Sequence, residues 1–292
     1  MVKRYGQLFL PVLAAAFLFA CAGPQPMLSV EETGRKIAAG TIFDTRSGAA
    51  ISFETLIRQL SSVQVVYVGE HHTDAEHHRI QLKIIEALDR ADRPLAVGME
   101  MFDVTYQPVL SLWTAGELTE AAFIDRTHWY ANWRYDFALY RDILEAARQR
   151  NIPVFGLNIP FHIPAKIAAG GIDSLLWPDR QFVPDEVDLA DDRHRTYLEK
   201  IYALHRRPGR SSFDFFYQAQ CVWEDAMGEA VAAHLADRRM VVIAGNGHIV
   251  GKFGIPNRAF RRTGAPFATV MPAPAGETVR LDDADYIWVT GP

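Results

Sequence analysis

Apolar positions along the chain follow two patterns that alternate. Val63–Val68 (VQVVYV), Leu95–Met99, Ile152–Leu157 (IPVFGL) and Met240–Ala244 (MVVIA) are short, nearly continuous apolar runs. Such runs are the pattern of strands buried on both faces. Between them, apolar residues recur every three or four positions. Over Thr73–Leu88, Ile80, Ile84, Ile85 and Leu88 share one helical face, and Thr73 with Glu76 makes a Thr-x-x-Glu capping box that sets the helix start. Helical spacing returns around 105–115, 118–125 and 135–150. It is longest over Phe213–Asp237, where Phe216, Trp223, Met227, Val231 and Leu235 line up. Phe267–Met271 and Tyr286–Val289 are candidate edge strands, and the polar, proline-punctuated stretch 178–195 reads as a loop. Strands alternating with helices predict an α/β fold, a largely parallel central sheet flanked by helices, with the ligand pocket at the carboxyl ends of the strands. With no internal repeat and no strong linker, residues 41–292 read as one domain.

The N-terminus departs from both patterns. Lys3 and Arg4 precede a 13-residue apolar run, Leu8–Ala20, that contains Pro11. A membrane-spanning helix needs about 20 apolar residues, so residues 1–20 read as a signal peptide. Leu18-Phe19-Ala20-Cys21 resembles a bacterial lipoprotein box. That resemblance implies lipidation of Cys21, a tether over 21–40, and attachment of the protein to a membrane. Neither Ala22 nor Gly23 is Asp, which by the same resemblance directs the chain to the outer membrane, facing the periplasm. Loss of residues 1–20 would also remove two of the 30 Lys and Arg side chains, making a net charge of −5 more negative. An acidic chain without a basic stripe is not built for nucleic acid. Two cysteines make neither a disulfide framework nor a four-cysteine metal site, and Cys221, inside the long helix, reads as a small core residue. The 49% apolar content excludes general disorder.

The candidate chemistry follows the four strands. They are succeeded in turn by Gly69-Glu70-His71-His72, Gly98-Met99-Glu100, Gly156-Leu157-Asn158 and Gly245-Asn246-Gly247-His248. Four of the ten histidines fall between positions 71 and 78. Ligands of open parallel sheets bind where such strand ends converge, so Glu70, His71, His72, His78, Glu100, Asn158 and His248 form the expected pocket. One of His71 and His72 is expected to face the pocket and the other to pack behind it. His78 is within reach of the same cleft, and His77 is expected at the solvated surface. No His-Glu-x-x-His or Cys-x-x-Cys-His motif occurs, which excludes the zincin signature and c-type covalent haem attachment.

These linked motifs resemble the ChaN family of haem-binding lipoproteins over roughly residues 45–272, as does the helix bearing Gln220, Trp223 and Met227. The family pattern expects Asp directly after the tryptophan, where this chain has Glu224. The resemblance implies a fold shared with Tiki, TraB and erythromycin-esterase-like proteins. It also implies haem as the ligand, bound as a stacked pair across a homodimer, with a tyrosine on each iron and basic groups of the partner chain on the propionates. An outer-membrane uptake receptor is a further implied partner.

The segment 128–140 (HWYANWRYDFALY) suits a flat aromatic ligand, with Trp133 and Phe137 read as an i, i+4 pair and Arg126 or Arg134 as propionate partners. Tyr140, Tyr106, Tyr130 and Tyr217 are all open as iron ligands. Within the same superfamily Tiki-like relatives carry paired Gly-x-x-His motifs, as Gly69–His72 and Gly245–His248 do here. The alternative function is therefore a metal-dependent hydrolase. A divalent ion such as zinc or manganese would sit on His72, His248 and Glu100, with Glu70 or Glu100 moving the proton.

Overall fold

The computed structural model describes residues 26–90, 93–204 and 212–292. Cys21 and the signal segment lie outside the described residues. Eleven strands are present among them. They are β1 (Met27–Val30), β2 (Lys36–Ala38), β3 (Ile42–Asp44), β4 (Ala49–Ile51), β5 (Val65–Glu70), β6 (Leu95–Asp103), β7 (Val154–Asn158), β8 (Arg239–Gly245), β9 (Phe267–Pro274), β10 (Thr278–Val279) and β11 (Tyr286–Thr290). The main sheet has the order β4-β3-β11-β9-β5-β8-β6-β7, and β10-β1-β2 form a small second sheet. From β11 to β7 all neighbours are parallel, whereas β3 and β4 join antiparallel at one side. The expected largely parallel sheet is therefore present.

Alternation along a strand explains why each run is apolar throughout. Val66 and Val68 point into a core shared with the helices Phe53–Leu60, Ala75–Asp89, Gln107–Thr114 and Ala138–Gln149. Val65 and Tyr67 point into the opposite core, built with Phe213–Leu235 and Ile255–Thr263. Each face is covered, so no polar alternation survives.

Several boundaries differ from the sequence reading. β9 lies between β5 and β11, and β11 between β9 and β3, so neither is an edge strand. Their apolar runs are short, yet both faces are covered. Residues 27–38, read as tether, fold into β1 and β2, with Leu28, Val30 and Ile37 buried against the domain. The helix after β5 is capped by Asp74 rather than Thr73. The Asp74 carboxylate accepts from the backbone N–H groups of Glu76 (2.8 Å) and His77 (3.4 Å). The stretch 178–195 is loop only in part, because Asp192–Leu204 is helical. Trp133 and Phe137 share no helix: Trp129–Asn132 is a single turn, Arg134 has φ 71°, and the next helix begins at Ala138. The Asp136 side chain accepts from the Ala138 N–H and restarts the helix there.

Candidate functional site: a histidine-lined cleft at the strand ends

Register brings the site together. Glu70 at the end of β5 stands beside Gly245 at the end of β8, and β6 runs along the other side of β8. β6 continues to Asp103, so Glu70 and Glu100 are both strand residues and not the first residues of turns. A cleft of about 450 Å³ opens there, its walls including Glu70, His71, His72, Gly245, Asn246 and His248.

Glu70 is buried and its two oxygens meet four donors. Oε1 accepts from the Tyr140 hydroxyl (2.5 Å) and pairs with His72 Nδ1 (2.7 Å). Oε2 accepts from Gln81 Nε2 (2.8 Å) and lies 3.3 Å from His78 Nδ1. Burial opposes the charge, but the bonds to His72 and His78 outweigh it and hold the carboxyl down at about 2. Both imidazoles are raised in turn, burial being overcome by the Glu70 carboxylate. With its oxygens occupied, Glu70 orients His72 and has no oxygen left for a metal or a substrate proton.

A second cluster sits on the far side of Gly245. Glu100 Oε2 accepts from the Gly245 N–H (2.7 Å), and Oε1 lies 3.4 Å from His248 Nε2. His248 Nδ1 is 3.3 Å from Glu224 Oε1 and 3.3 Å from Gln220 Nε2. Burial would discharge His248, but the two carboxylates outweigh it and carry it up to about 10. Glu224 is in turn faced by His194 Nε2 (3.3 Å) and Arg258 Nε (3.5 Å). Arg258 pairs with Asp225, which also accepts from Arg262 (2.8 Å). The longer side chain at position 224 thus reaches both His248 and Arg258.

Of the expected residues, Glu70, His71, His72 and His248 line the cleft, so both His71 and His72 face it rather than one of the two, with Glu100 just behind. His78 does not: it is buried behind Glu70, its Nε2 3.2 Å from the His72 carbonyl oxygen. Asn158 is buried too. It donates to the Glu100 carbonyl oxygen (2.8 Å) and accepts from the Trp223 indole N–H, which braces the floor of the site. Tyr140 is fully buried, its hydroxyl committed to Glu70 and its ionisation pushed far up by burial and by that carboxylate. It is therefore not an iron ligand. Tyr217 is buried with its hydroxyl on the Asp191 carbonyl, and the Tyr106 hydroxyl accepts from Asn132 Nδ2 (2.7 Å). Tyr130 is the one of the four that is open, at 56% exposure, and Arg126 and Arg134 near it are exposed as well.

His77 is not solvated. It is buried, its Nδ1 accepts from the His71 N–H (2.8 Å), and its Nε2 lies 3.3 Å from the Thr290 hydroxyl. Burial lowers it to about 4 and keeps it neutral, as a lone-pair acceptor must be. Cys221 is buried and free, its thiol pushed up by burial to about 11, in keeping with a core role.

The metal set His72, His248 and Glu100 is not assembled as ligands. Among the described residues no group of three His, Cys, Asp or Glu side chains is placed to share an ion. His248 Nε2 faces Glu100 and its Nδ1 faces Glu224, while His72 Nδ1 is held by Glu70. His194, Asp225, Arg258, Tyr197, Glu277 and Asp283, which also build the site or its walls, carry no motif that would single them out in the sequence.

A haem group finds suitable residues at the rim. His72 packs between Trp133 (4.9 Å) and Tyr135 (5.1 Å) on one side. On the other, His248 packs on Trp223 (5.0 Å) and Trp223 on the half-exposed Phe161 (5.5 Å). Trp177 and Leu176, beyond Phe161 in the chain, are 76% and 77% exposed. Open aromatic faces, one free phenol and exposed arginines are what a porphyrin with two propionates requires.

A family model described as haem-binding uptake, Tiki superfamily, ChaN matches residues 56–259. No curated protein matches the chain. Among solved structures, ChaN of Campylobacter jejuni, described as binding haem cofacially, superposes with a TM-score of 0.70 at 19% identity, over 85% of this chain and 95% of that one. The type III effector HopBA1 (TM-score 0.47, 15% identity, 82% and 92% covered) and the erythromycin esterase EreC (0.47, 14%, 81% and 76%) are more distant.

Proposed function

The chain belongs to the ChaN family of haem-binding uptake proteins in the Tiki superfamily, and from that premise we propose that it holds haem at the aromatic rim of the strand-end cleft as a step in iron uptake. The observation that carries this placement is Tyr130. It is the one open phenol among the four candidate tyrosines; in the sequence it falls between the exposed Arg126 and Arg134, and in the same stretch Trp133 and Tyr135 pack on His72. Its oxygen would ligate ferric iron and the two guanidinium groups would meet propionates, with Phe161, Leu176 and Trp177 as exposed apolar groups that could cover a porphyrin. A haem held on so exposed a phenol would keep one face uncovered. A second haem-loaded copy would bury that face, so the bound form is a dimer. Lipidation at Cys21 would place the protein on the periplasmic face of the outer membrane, beside the receptor that delivers the haem.

Hemin titrated into the purified protein, with its size followed in solution, tests the reading. The expected result is a saturable Soret shift at one haem per chain, a doubling of mass on loading, and loss of the tyrosinate-to-iron absorption in Tyr130→Phe. A titration indistinguishable from that of an unrelated protein refutes it.

A further inference from the structure

The chain enters the fold beside the cleft, and the stretch that joins it to Cys21 is short. Met27, the first residue of β1, stands six residues after Cys21. Six residues reach about 20 Å when fully extended. β5, also six residues long, covers about the same distance. Pairing fixes where the point of entry lies. β9, β5 and β8 are parallel, so β9 ends at Pro274 on the same side of the sheet as Glu70 and Gly245. The turn after Pro274 leads into β10. There β1 pairs in parallel, with Ser29 opposite Thr278 and the Ser29 N–H donating to the Glu277 carbonyl oxygen (2.9 Å). Glu277, Thr278 and Val279 are walls of the cleft, as are Met271 and Ala273 of β9. Met27 is therefore beside the cleft wall, one strand length from the amino ends of the sheet.

The β10-β1-β2 sheet has one covered face and one open face. Leu28, Val30, Ile37 and Val279 are buried against the domain. Met27 (39% exposed), Lys36, Ala38 and Thr278 point outward, with the half-buried Ser29 among them. These five outward side chains include no carboxylate, and the one charge they carry is the Lys36 ammonium, bonded to Ser29 Oγ. In the turn after β1, Glu31 and Glu32 are paired with Arg280 (3.3 and 3.4 Å). An exposed methionine beside a lysine suits the boundary between acyl chains and phosphate headgroups, where an apolar stem is covered and a cation stays wet. We propose that, with Cys21 acylated, its short connection to β1 holds the outer face of this sheet against phospholipid headgroups. The cleft then opens along the membrane surface, and the amino ends of the strands point away from it. The proposal rests on the lipidation reading of Cys21 and not on haem.

The test uses full-length protein, purified from membranes and reconstituted in phosphatidylethanolamine–phosphatidylglycerol vesicles that carry a headgroup nitroxide. A fluorophore is placed on Thr278→Cys at the cleft, or on Ser62→Cys, an exposed site ahead of β5 at the amino ends of the strands. The unsubstituted protein, with Cys21 acylated and Cys221 buried, is the labelling control. Nitroxide quenching about threefold stronger at 278 than at 62 is expected, because the two sites differ in height by about one strand length. A flexible Gly-Ser insert of about 20 residues between Gly23 and Pro24 adds about 25 Å of slack and should bring the two values together. Equal quenching at the two sites, stronger quenching at 62, or a difference unchanged by the insert would each overturn the proposal. Flotation with the vesicles, lost in Cys21→Ser, reports the lipidation separately. Protein that does not float removes the lipidation reading and this proposal with it, whereas protein that floats with equal quenching removes the proposal alone.

Discussion

Replacing Glu70 by Gln keeps the shape of a buried side chain and removes its charge, which makes it a direct probe of how the first half of the site is held. The wild-type carboxylate receives Tyr140, His72, Gln81 and His78 on two oxygens. A glutamine offers one oxygen and an NH₂ group that must point at two donors. Linkage gives the magnitude. The carboxyl is displaced from 4.5 to about 2, and each unit is worth about 1.4 kcal/mol, so the charged form contributes about 3 kcal/mol to folding at neutral pH. Because the folded value is the lower one, this stability is complete above pH 4.5 and is lost as the pH falls towards 2. Urea unfolding of both proteins should therefore show a deficit of about 3 kcal/mol in Glu70→Gln at pH 7, with m unchanged. By pH 3 the deficit should shrink by about 2 kcal/mol, because the carboxyl of the unfolded wild-type chain is protonated there while that of the folded protein is still ionised. A deficit under about 1 kcal/mol at pH 7, or one that stays constant between pH 7 and pH 3, would refute the reasoning that the charge organises the four donors.

Two other perturbations act on the second half. His248 is raised to about 10 by Glu100 and Glu224 against burial, so its contribution is complete below about pH 6.5 and disappears as the pH rises through 10. His248→Gln should be less stable by about 3–5 kcal/mol at pH 7, and urea titrations should show the gap to wild type closing by pH 10. A gap that stays open there contradicts the pairing. Gly245→Ala introduces a Cβ 2.8 Å from His72 Cε1. The half-exposed imidazole must swing out and give up Glu70, at a cost of about 1–3 kcal/mol. The His72 ring resonances in an NMR pH titration should then move to a lower midpoint than in wild type.

The parts of this molecule that a sequence discloses are those governed by local periodicity. Both-face burial writes β5, β6, β7 and β8 as apolar runs, and the polar residues after them are visible because each run stops at a chemically distinct group. Glu70, His72, Glu100 and His248 were accessible in that way. What a neighbour 100 residues away does to a side chain is not written locally. Tyr140 reads as a candidate haem ligand in the sequence, whereas in the fold the Glu70 carboxylate holds its hydroxyl. His77 and His78, adjacent in sequence, have different tasks because one meets Thr290 and the other Glu70. β9 and β11 read as edges, yet crossovers set them inside the sheet. Arg258 gave no signal, since a buried arginine has the same letter as an exposed one and only Glu224 and Asp225 explain it.

The neutral His77 ties the turn at the cleft to a strand far along the chain. Its ring joins the backbone of His71 at the cleft to Thr290, 213 residues after His77 itself, and the Gly291 N–H donates to Glu76 Oε2 (2.9 Å) on the same helix turn. The turn that carries His71 and His72 is therefore braced by the end of β11 and the residue that follows it. Contacts of such separation form late, because the loop they close must be ordered before they contribute. Without β11 in place the histidines are present but the backbone of their turn lacks this tie.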